Sequence, residues 1–319
     1  MKTAIIIFYL ILLLFFKTEA SETSGQAGAF LRYGLDARSE SLGRAVVADT
    51  SSAFSVFFNP ATLSSVRERQ ILTGMKILSL DRKFAYLLYS QSAGEKASLS
   101  LGLLYTGTGG IEGRDRGGVQ FATYSYNENL FYLSFGIMPK EYLSAGVSAK
   151  ILWTRLPEFD SAGETVSSLT FAYDTGIVLH PPGTEGFTVG LSARNIKGKN
   201  SWDSSRVWSD GSASTDYFPI SYSAGISWIP VFNPDLGFHF ETNTFDFKTS
   251  GYGAGIEWKK DFENKSGIML RTGTVSGQLS FGLGYKFFAA GKKIIFDYAY
   301  TNEGITRNDP HSLSWRFFF

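Results

Sequence analysis

The sequence contains no cysteine among its 319 residues, so disulfide bonds, thiolate metal sites and a lipid-modified N-terminal cysteine are excluded. Charged residues make up only 18% of the chain, against about 25% in typical soluble domains. The net charge is +1, which provides no positive field for nucleic acid, and we expect no nucleic-acid partner. No apolar run reaches the roughly 20 residues that a membrane-spanning helix needs.

The sequence also lacks the motifs of common enzyme and metal sites. Its three histidines, His180, His239 and His311, are far apart, and neither HExxH nor GxSxG occurs. The glycines at 107–113 miss the GxGxxG spacing, and we interpret them as a strand end followed by a loop. We therefore expect no enzyme activity, no cofactor and no bound metal.

The first 20 residues are organised like a secretory signal peptide. Lys2 precedes an apolar run from Ala4 to Phe16, and the small residues Thr18 and Ala20 match the positions before a cleavage site. The alternative is an uncleaved anchor, but the run is shorter than the roughly 20 residues needed to span a bilayer. We predict an exported protein with a signal peptide at 1–20, cleaved near Ala20.

Aromatic residues are abundant, at 16% of the chain, and from residue 68 onward apolar and polar residues alternate. Leu143, Val147 and Ile151 share one face of their segment, whereas Ser148 and Lys150 share the other. A period of two is typical of strands with one apolar and one polar face. The apolar faces are rich in Phe, Leu, Ile and Tyr and the polar faces in Ser and Gly, so we expect lipid outside and hydroxyls and glycines filling a bore.

Fourteen such segments follow one another, an even number within the range of outer-membrane barrels. We predict strands near 69–79, 83–91, 96–108, 118–127 or 129–138, 142–153, 167–180, 187–195, 218–229, 235–247, 251–260, 266–274, 277–288, 292–302 and 311–319. Short connections at 139–141, 181–186, 261–265 and 289–293 contrast with longer ones at 109–118, 154–167, 196–218 and 302–310.

A soluble β-sandwich would also alternate, but its polar face is typically rich in Lys, Glu and Thr rather than Ser and Gly. We therefore predict an all-β fold, a transmembrane antiparallel β-barrel of about 14 strands over residues 68–319. We then expect the lipid of the outer membrane to be a partner of the protein, in contact with the apolar outer face of the barrel.

The chain ends on HSLSWRFFF, with Leu313, Trp315, Phe317 and Phe319 at every second position. We interpret this as a closing strand whose aromatic face contacts lipid. Outer-membrane proteins as a group resemble this ending, in which the final aromatic is read by the barrel-insertion machinery. The resemblance implies that Phe319 is an insertion signal and that the protein resides in the outer membrane of a Gram-negative-type bacterium.

Residues 21–67 show no clean alternation and contain many small residues. The stretch Asp49–Ser52 can cap a short helix, and Asn59 with Pro60 predicts a turn. A segment of this length either hangs outside the barrel or folds into the bore as a plug.

The run FLRYGLDARSESLGRAVVAD and the later FSVFFNPATL resemble the PorV/PorQ family and, more widely, the FadL-type outer-membrane hydrocarbon and fatty-acid transporters. The resemblance implies an N-terminal hatch with short helices inside a fourteen-stranded barrel. The matching residues are Phe30, Leu31, Gly34, Ala37, Arg38, Gly43, Ala45, Ala48, Asn59, Pro60 and Ala61. Of these, it implies a substrate or plug role for Phe30, Leu31, Arg38, Gly43, Asn59, Pro60 and Ala61. Arg44 and Thr62 stand where the family usually has glycine.

Several charged residues fall on the polar faces of the predicted strands and therefore face the bore. They are Asp174, Arg194, Glu241, Glu257, Arg271, Lys286, Asp297 and Arg316. Two roles remain open for them: they pair with each other and brace the plug, because buried charges need partners, or some line a polar stretch of a substrate path.

Two functions follow from the resemblance. The first is a plugged channel for passive uptake of small hydrophobic molecules such as long-chain fatty acids, with a shift of the hatch opening the path. The second is a PorV/PorQ-like accessory that holds substrates of a protein secretion system at the cell surface, with secretion-system proteins as partners.

Overall fold

The computed structural model describes residues 27–156, 165–205, 210–302 and 309–319. The predicted signal peptide and its cleavage site lie outside these ranges. The strands are β1 (Gln70–Ile77), β2 (Arg82–Ser92), β3 (Ala97–Arg114), β4 (Gln120–Lys140), β5 (Leu143–Arg155), β6 (Ser167–Leu179), β7 (Phe187–Ile196), β8 (Lys199–Asp203), β9 (Ala213–Tyr217), β10 (Ser221–Trp228), β11 (Leu236–Phe245), β12 (Thr249–Asp261), β13 (Gly267–Val275), β14 (Gln278–Ala289), β15 (Lys292–Thr301) and β16 (His311–Phe318).

Fourteen of these strands form one closed antiparallel barrel, which confirms the predicted fold class and strand number. Each barrel strand pairs with its neighbour along the chain, except that β7 pairs with β10 because β8 and β9 form a separate hairpin. The barrel closes between β1 and β16, from Gln70 opposite Phe318 to Ile77 opposite His311. Closure leaves no open sheet edge along this seam. Within the described ranges, none of the helices has the length and apolar character needed to span a bilayer.

The two ends of the barrel differ in their connections. The end that carries the segments after β1, β3, β5, β7, β11, β13 and β15 includes the longest ones, and we call it the long-loop end. The opposite end, where β1 begins and β16 finishes, is the short-turn end. Tight turns also occur at the long-loop end, at 78–81, 246–248 and 276–277, so the connections at this end differ widely in length.

The connection that we predicted at 109–118 is much shorter than expected. Strand β3 continues to Arg114, and β4 runs without a break from Gln120 to Lys140. The pairing of β3 with β4 shifts register between Thr108 and Ile111, and Gly110 there has a φ of 65°. The glycines thus form an irregularity within the strand rather than end it.

The outer face of the barrel is apolar. Exposed side chains on β5 and β6 include Val147, Trp153 and Phe171, whereas Ser148 and Lys150 on the intervening positions are buried. This alternation matches the sequence pattern, and it surrounds the barrel with aliphatic and aromatic side chains of the kind that contact lipid.

Residues 27–66 are mostly buried and pack against inward-facing glycines of the barrel wall, and we call residues 27–67 the plug. They form helix α1 (Ala37–Ser41) and 3-10 helices at Ala29–Arg32, Ala53–Phe57 and Pro60–Ser65. Side-chain capping explains the start points of three of them, whereas Ala29–Arg32 follows Gly28, which has no capping side chain. The Asp36 side chain accepts from the Ser39 amide, Ser52 from the Phe54 amide and Asn59 from the Ala61 amide.

The plug backbone approaches the wall most closely where the wall has glycine. A methyl group added at Gly146 would lie 2.3 Å from the carbonyl carbon of Pro60, and one at Gly176 would lie 1.9 Å from Oδ1 of Asn59. Gly136, Gly146 and Gly176 are aligned on adjacent strands. Further inward glycines in plug contact are Gly190, Gly225, Gly253, Gly255, Gly273 and Gly282. We call this set of nine the glycine girdle.

We predict that G146A destabilises the protein, because the added methyl group would clash with backbone atoms of the plug. Backbone atoms cannot move aside as the end of a flexible side chain can. Overpacking of this kind costs about 1–3 kcal/mol, which lowers the melting temperature by several degrees. G109A is the matched control, because nothing lies within 4 Å of a methyl group at that position. Equal melting temperatures for the two purified variants would contradict a tight contact at the girdle.

Candidate functional site

One half of the plug–wall interface is apolar. Phe54 of the plug meets Tyr86 of β2 edge to face at 5.2 Å between ring centroids, and Phe57 lies 6.0 Å from Tyr132 of β4. The same cluster contains the inward-facing residues Leu72, Phe84, Leu88, Leu104, Leu130 and Leu152. The expectation that hydroxyls and glycines fill the whole bore is therefore wrong for β1–β5. There the plug supplies phenylalanines that make inward apolar residues favourable.

The predicted plug residues Phe30 and Leu31 belong to this apolar cluster, together with Phe218 near the long-loop end. Gly43 lies at the opposite wall, where its φ of 64° favours glycine. A methyl group there would lie 2.2 Å from the Thr274 carbonyl oxygen of β13. Gly43 thus combines a left-handed conformation with a close approach to the wall.

Arg44 has a φ of 61°, in the left-handed region that glycine adopts without strain. This conformation is consistent with the glycine that the PorV/PorQ pattern usually has at this position. A non-glycine residue there costs roughly 1–2 kcal/mol. Its side chain is used, however, because the guanidinium donates to Glu40 at 3.2 Å and to the Arg32 carbonyl at 3.3 Å. At the second departure, the Thr62 hydroxyl donates to the Asn59 carbonyl at 2.8 Å.

The triplet Asn59, Pro60 and Ala61 joins two parts of the plug to the wall. The fully buried Asn59 side chain donates to the Val47 carbonyl at 2.7 Å and to the Ile177 carbonyl of β6 at 3.1 Å. Pro60 packs against Gly146 of β5. A short amide side chain at this position thus fixes the spacing between plug and wall.

The charged half of the interface centres on Arg38. Its guanidinium forms a two-pronged contact with Glu257 of β12, at 3.0 and 3.1 Å, and also binds Asp49 of the plug. Arg38 is buried, so these carboxylates supply the compensation that a desolvated cation requires. Burial by itself would raise the pKa of Asp49, but Arg38, together with smaller contributions from His239 and Ser51, lowers that pKa.

The network continues along the wall from Glu257. Arg271 of β13 donates to Glu257 and to Asp297 of β15, both at 2.7 Å, and Arg316 of β16 donates to Asp297 at 3.4 Å. Four of the predicted bore charges therefore lie in one chain of ion pairs that begins at the plug. Asp297 and Arg316 contact each other diagonally between β15 and β16.

The four remaining predicted charges lie outside this chain of ion pairs. Arg194 of β7 donates to the Phe57 carbonyl of the plug at 3.4 Å. Glu241 of β11 accepts from the amides of Val46 and Val47 at 3.0 and 2.9 Å, so it holds plug backbone. Asp174 of β6 pairs with Lys150 at 2.6 Å, and the Lys150 ammonium lies 5.3 Å from the ring centroid of the plug residue Phe57. Lys286 pairs with Asp261 near the short-turn end, outside this interface.

Sequence reasoning missed Glu40, which connects the plug to β1. Its carboxylate binds Lys76 of β1 and Arg44, and accepts from the Gly34 amide at 2.6 Å. Burial would raise the pKa of Glu40, but Arg44 and Lys76 lower it to about 2. The available signals were a carboxylate in the plug segment four residues before Arg44, which is the spacing of a helical ion pair, and a lysine on the polar face of β1.

These features define a class, a closed fourteen-stranded barrel whose bore is filled by its own N-terminal segment. The fold is that of the FadL/TodX-type barrels. The chain is similar to the CymD monoaromatic hydrocarbon channel (15% identity, TM-score 0.61, 90% of this chain and 98% of that chain covered). It is also similar to the Ralstonia pickettii toluene transporter TbuX (12%, 0.62, 90% and 98%) and to a Pseudomonas aeruginosa FadL homologue (10%, 0.57, 88% and 98%). No family model and no curated protein sequence matches the chain.

We predict that R38Q strongly destabilises the folded protein, because it leaves Asp49 and Glu257 without their shared cation in a buried site. Removing one partner of a buried ion pair costs about 3–5 kcal/mol. The control is R114Q, which breaks an exposed pair with Glu112 and should cost less than about 1 kcal/mol. Urea or thermal unfolding in detergent micelles measures the difference, and similar losses for both variants would contradict the role of Arg38.

The pKa of Glu40 predicts an acid-dependent contribution to stability. An unfolded Glu40 has its ordinary pKa of 4.5, whereas the folded one stays ionised to about 2. The stabilisation is therefore complete above pH 4.5 and is lost as the pH falls toward 2. The melting temperature of wild type should exceed that of E40Q at pH 7, and the gap should shrink between pH 4.5 and 2. A gap that stays constant through this window would refute the ionic role of Glu40.

Proposed function

We propose that the protein is an outer-membrane channel for the passive entry of small hydrophobic molecules, such as long-chain fatty acids. The observation that carries this proposal is a closed barrel, apolar outside, whose bore is filled by a segment held through non-covalent contacts. The likeness in fold to hydrocarbon channels over nine-tenths of the chain supports it.

The inner wall suits a hydrophobic solute. Phe84, Leu88, Leu104 and Leu130 face the bore and contact plug residues. When the plug shifts, a solute that replaces its aromatic rings meets an apolar surface and regains the burial that the plug gives up. Such a solute would enter from the long-loop end. An ionic solute of similar size would lose its hydration without compensation along this wall.

The absence of cysteine makes a direct test of the plug possible. Ser64 of the plug and Ser144 of β5 touch through their hydroxyl oxygens at 2.8 Å, so cysteines at the two positions would bring their sulfur atoms into contact. We predict that oxidised S64C/S144C loses uptake of labelled oleate and toluene by cells that lack their own channels, and that a reducing agent restores it. The single variants S64C and S144C are the controls.

Unchanged uptake by the oxidised double variant would show that this part of the plug need not move. Uptake no faster than in cells without the protein would reject the channel function itself. Both measurements use the intact protein in its membrane.

A second candidate function, the PorV/PorQ-like secretion accessory, is favoured by a different feature. At the long-loop end, the pairing of β2 with β3 stops at Arg82 and Thr108, and the pairing of β5 with β4 stops at Arg155 and Asn127. The end of the β3–β4 hairpin therefore extends beyond β2 and β5. Val119 and Phe121 at its tip are both 65% exposed. Replacing residues 111–123 by a short turn separates the functions, because it would abolish capture of secreted proteins and leave oleate uptake intact.

A further inference from the structure

Two cations on the outer face of the barrel lack an ionic partner at the short-turn end. Lys292 is the first residue of β15 and Arg69 immediately precedes β1, and both side chains are exposed. Among the described residues, neither forms an ion pair with a carboxylate, whereas the neighbouring Lys293 pairs with Glu68 at 2.6 Å. Outward cations without a counter-charge are available to an anion that the membrane surface supplies.

The strand register places both cations beside one aromatic residue. Ile294 of β15 pairs with Phe317 of β16. Lys292 therefore lies opposite Phe319, and its ammonium is 5.7 Å from the centroid of the Phe319 ring. On the other side, the Phe319 amide donates to the Arg69 carbonyl at 2.9 Å. The two cations thus flank Phe319 across the seam where the barrel closes, on strands about 10 Å apart, a gap that two long side chains can bridge.

The next outward position on each strand is apolar. These positions form one continuous row across adjacent strands from β14 to β2, namely Phe287, Ile294, Phe317, Ile71 and Tyr89. Rows of aromatic and aliphatic side chains mark the level at which a barrel enters the hydrocarbon of the bilayer. Lys292 and Arg69 lie one outward position closer to the short-turn end, at the level of the lipid head groups.

An apolar groove lies on the same outer face, farther from the short-turn end. It has a volume of about 820 Å³, and its lining includes Thr73, Ala85, Leu87, Leu103 and Trp315. Thr73 and Ala85 are small, so the larger side chains around them leave a depression across β16, β1, β2 and β3. A depression of this shape on a lipid-facing surface suits an alkyl chain.

The spacing between the cations and the groove matches the thickness of one leaflet. Arg69 and Thr73 are four residues apart on the same face, which corresponds to about 14 Å along an extended strand. The hydrocarbon of one leaflet is about 15 Å thick, half of the roughly 30 Å of the bilayer core. A lipid with its phosphate at Arg69 therefore places an acyl chain beside Ile71 and the end of that chain in the groove.

We propose that Lys292 and Arg69 bind the phosphate of an anionic phospholipid in the leaflet at the short-turn end, with an acyl chain along Ile71 and in the groove. A phosphate suits this pair, because arginine donates two parallel hydrogen bonds to it and lysine adds a point charge. A zwitterionic head group gains less, since its own cation is repelled by the same two side chains. The site lies outside the bore, so this inference is independent of the channel function.

The test compares phosphatidylglycerol with phosphatidylcholine that carries the same palmitoyl and oleoyl chains. Native mass spectrometry of the protein in detergent, titrated with each lipid, measures the dissociation constant of the first bound molecule. We expect wild type to bind phosphatidylglycerol about tenfold or more tightly, because each lysine or arginine beside an anionic lipid contributes a factor of about five. R69Q/K292Q should lose this preference, whereas R69K/K292R, which keeps both charges, should retain it.

K96Q/K140Q is the matched control, because it also removes two exposed lysines at the short-turn end, where each is adjacent in sequence to a glutamate. It should retain the preference for phosphatidylglycerol. A85W fills the groove, so it should weaken the binding of both lipids about equally and leave the ratio of their affinities unchanged.

Equal affinities of wild type for the two lipids would overturn the inference, and so would a preference that survives R69Q/K292Q. Loss of the preference in K96Q/K140Q would show diffuse attraction to the whole rim and would also overturn it, as would unchanged lipid binding by A85W. If R69Q/K292Q does not fold, the single variants R69Q and K292Q decide, and a full preference in both overturns the inference.

Discussion

The ion pairs between Arg38, Asp49 and Glu257 are the interaction on which the rest of this structure depends. The bore is closed to bulk water by the barrel and the plug, so a charge placed there must find its counter-charge nearby. Arg38 extends from the plug to β12, and from Glu257 the pairing passes through Arg271 to Asp297. These ion pairs thus fix the position of the plug, because buried charges on both the plug and the wall require partners.

This constraint divides the bore into regions with different chemistry. Strands β12–β16, together with Lys76 of β1, hold helix α1 through charges, whereas the apolar inward side chains of β1–β5 pack against the plug phenylalanines. The glycine girdle runs through both regions and the strands between them, and it lets the plug backbone pack directly against the wall backbone. An apolar contact is readily exchanged for a hydrophobic solute, whereas a buried ion pair is not, so the regions differ in how easily the plug can separate from them. Arg194, with no carboxylate at contact distance among the described residues, belongs to neither region.

Particular elements show where sequence patterns were sufficient and where they failed. The period of two located fourteen strands, because a strand with lipid on one side must alternate whatever it pairs with. The glycines near 109 were misread as a strand end, since an irregularity within a paired strand and a loop share the same residues. The segment 196–218 was read as a plain loop, yet β8 and β9 form a hairpin there. Thr170 of β6 donates to the Lys199 carbonyl at 2.6 Å and helps to dock it. Short polar strands of this kind have too little apolar content to reveal themselves.

The sequence by itself determined the barrel, its strand number and the apolar outer face, because these depend on local alternation and on the solvent that each face meets. It also indicated which charges point inward. Only the tertiary structure decided which of them meet, since Arg38 and Glu257 are 219 residues apart and their contact depends on how the plug sits in the closed barrel. The apolar lining of β1–β5 and the isolation of Arg194 were likewise decided by the plug. Whether an inward side chain is apolar or charged depends on the plug residue that it contacts. The residue pattern of a single strand does not show which plug residue that is.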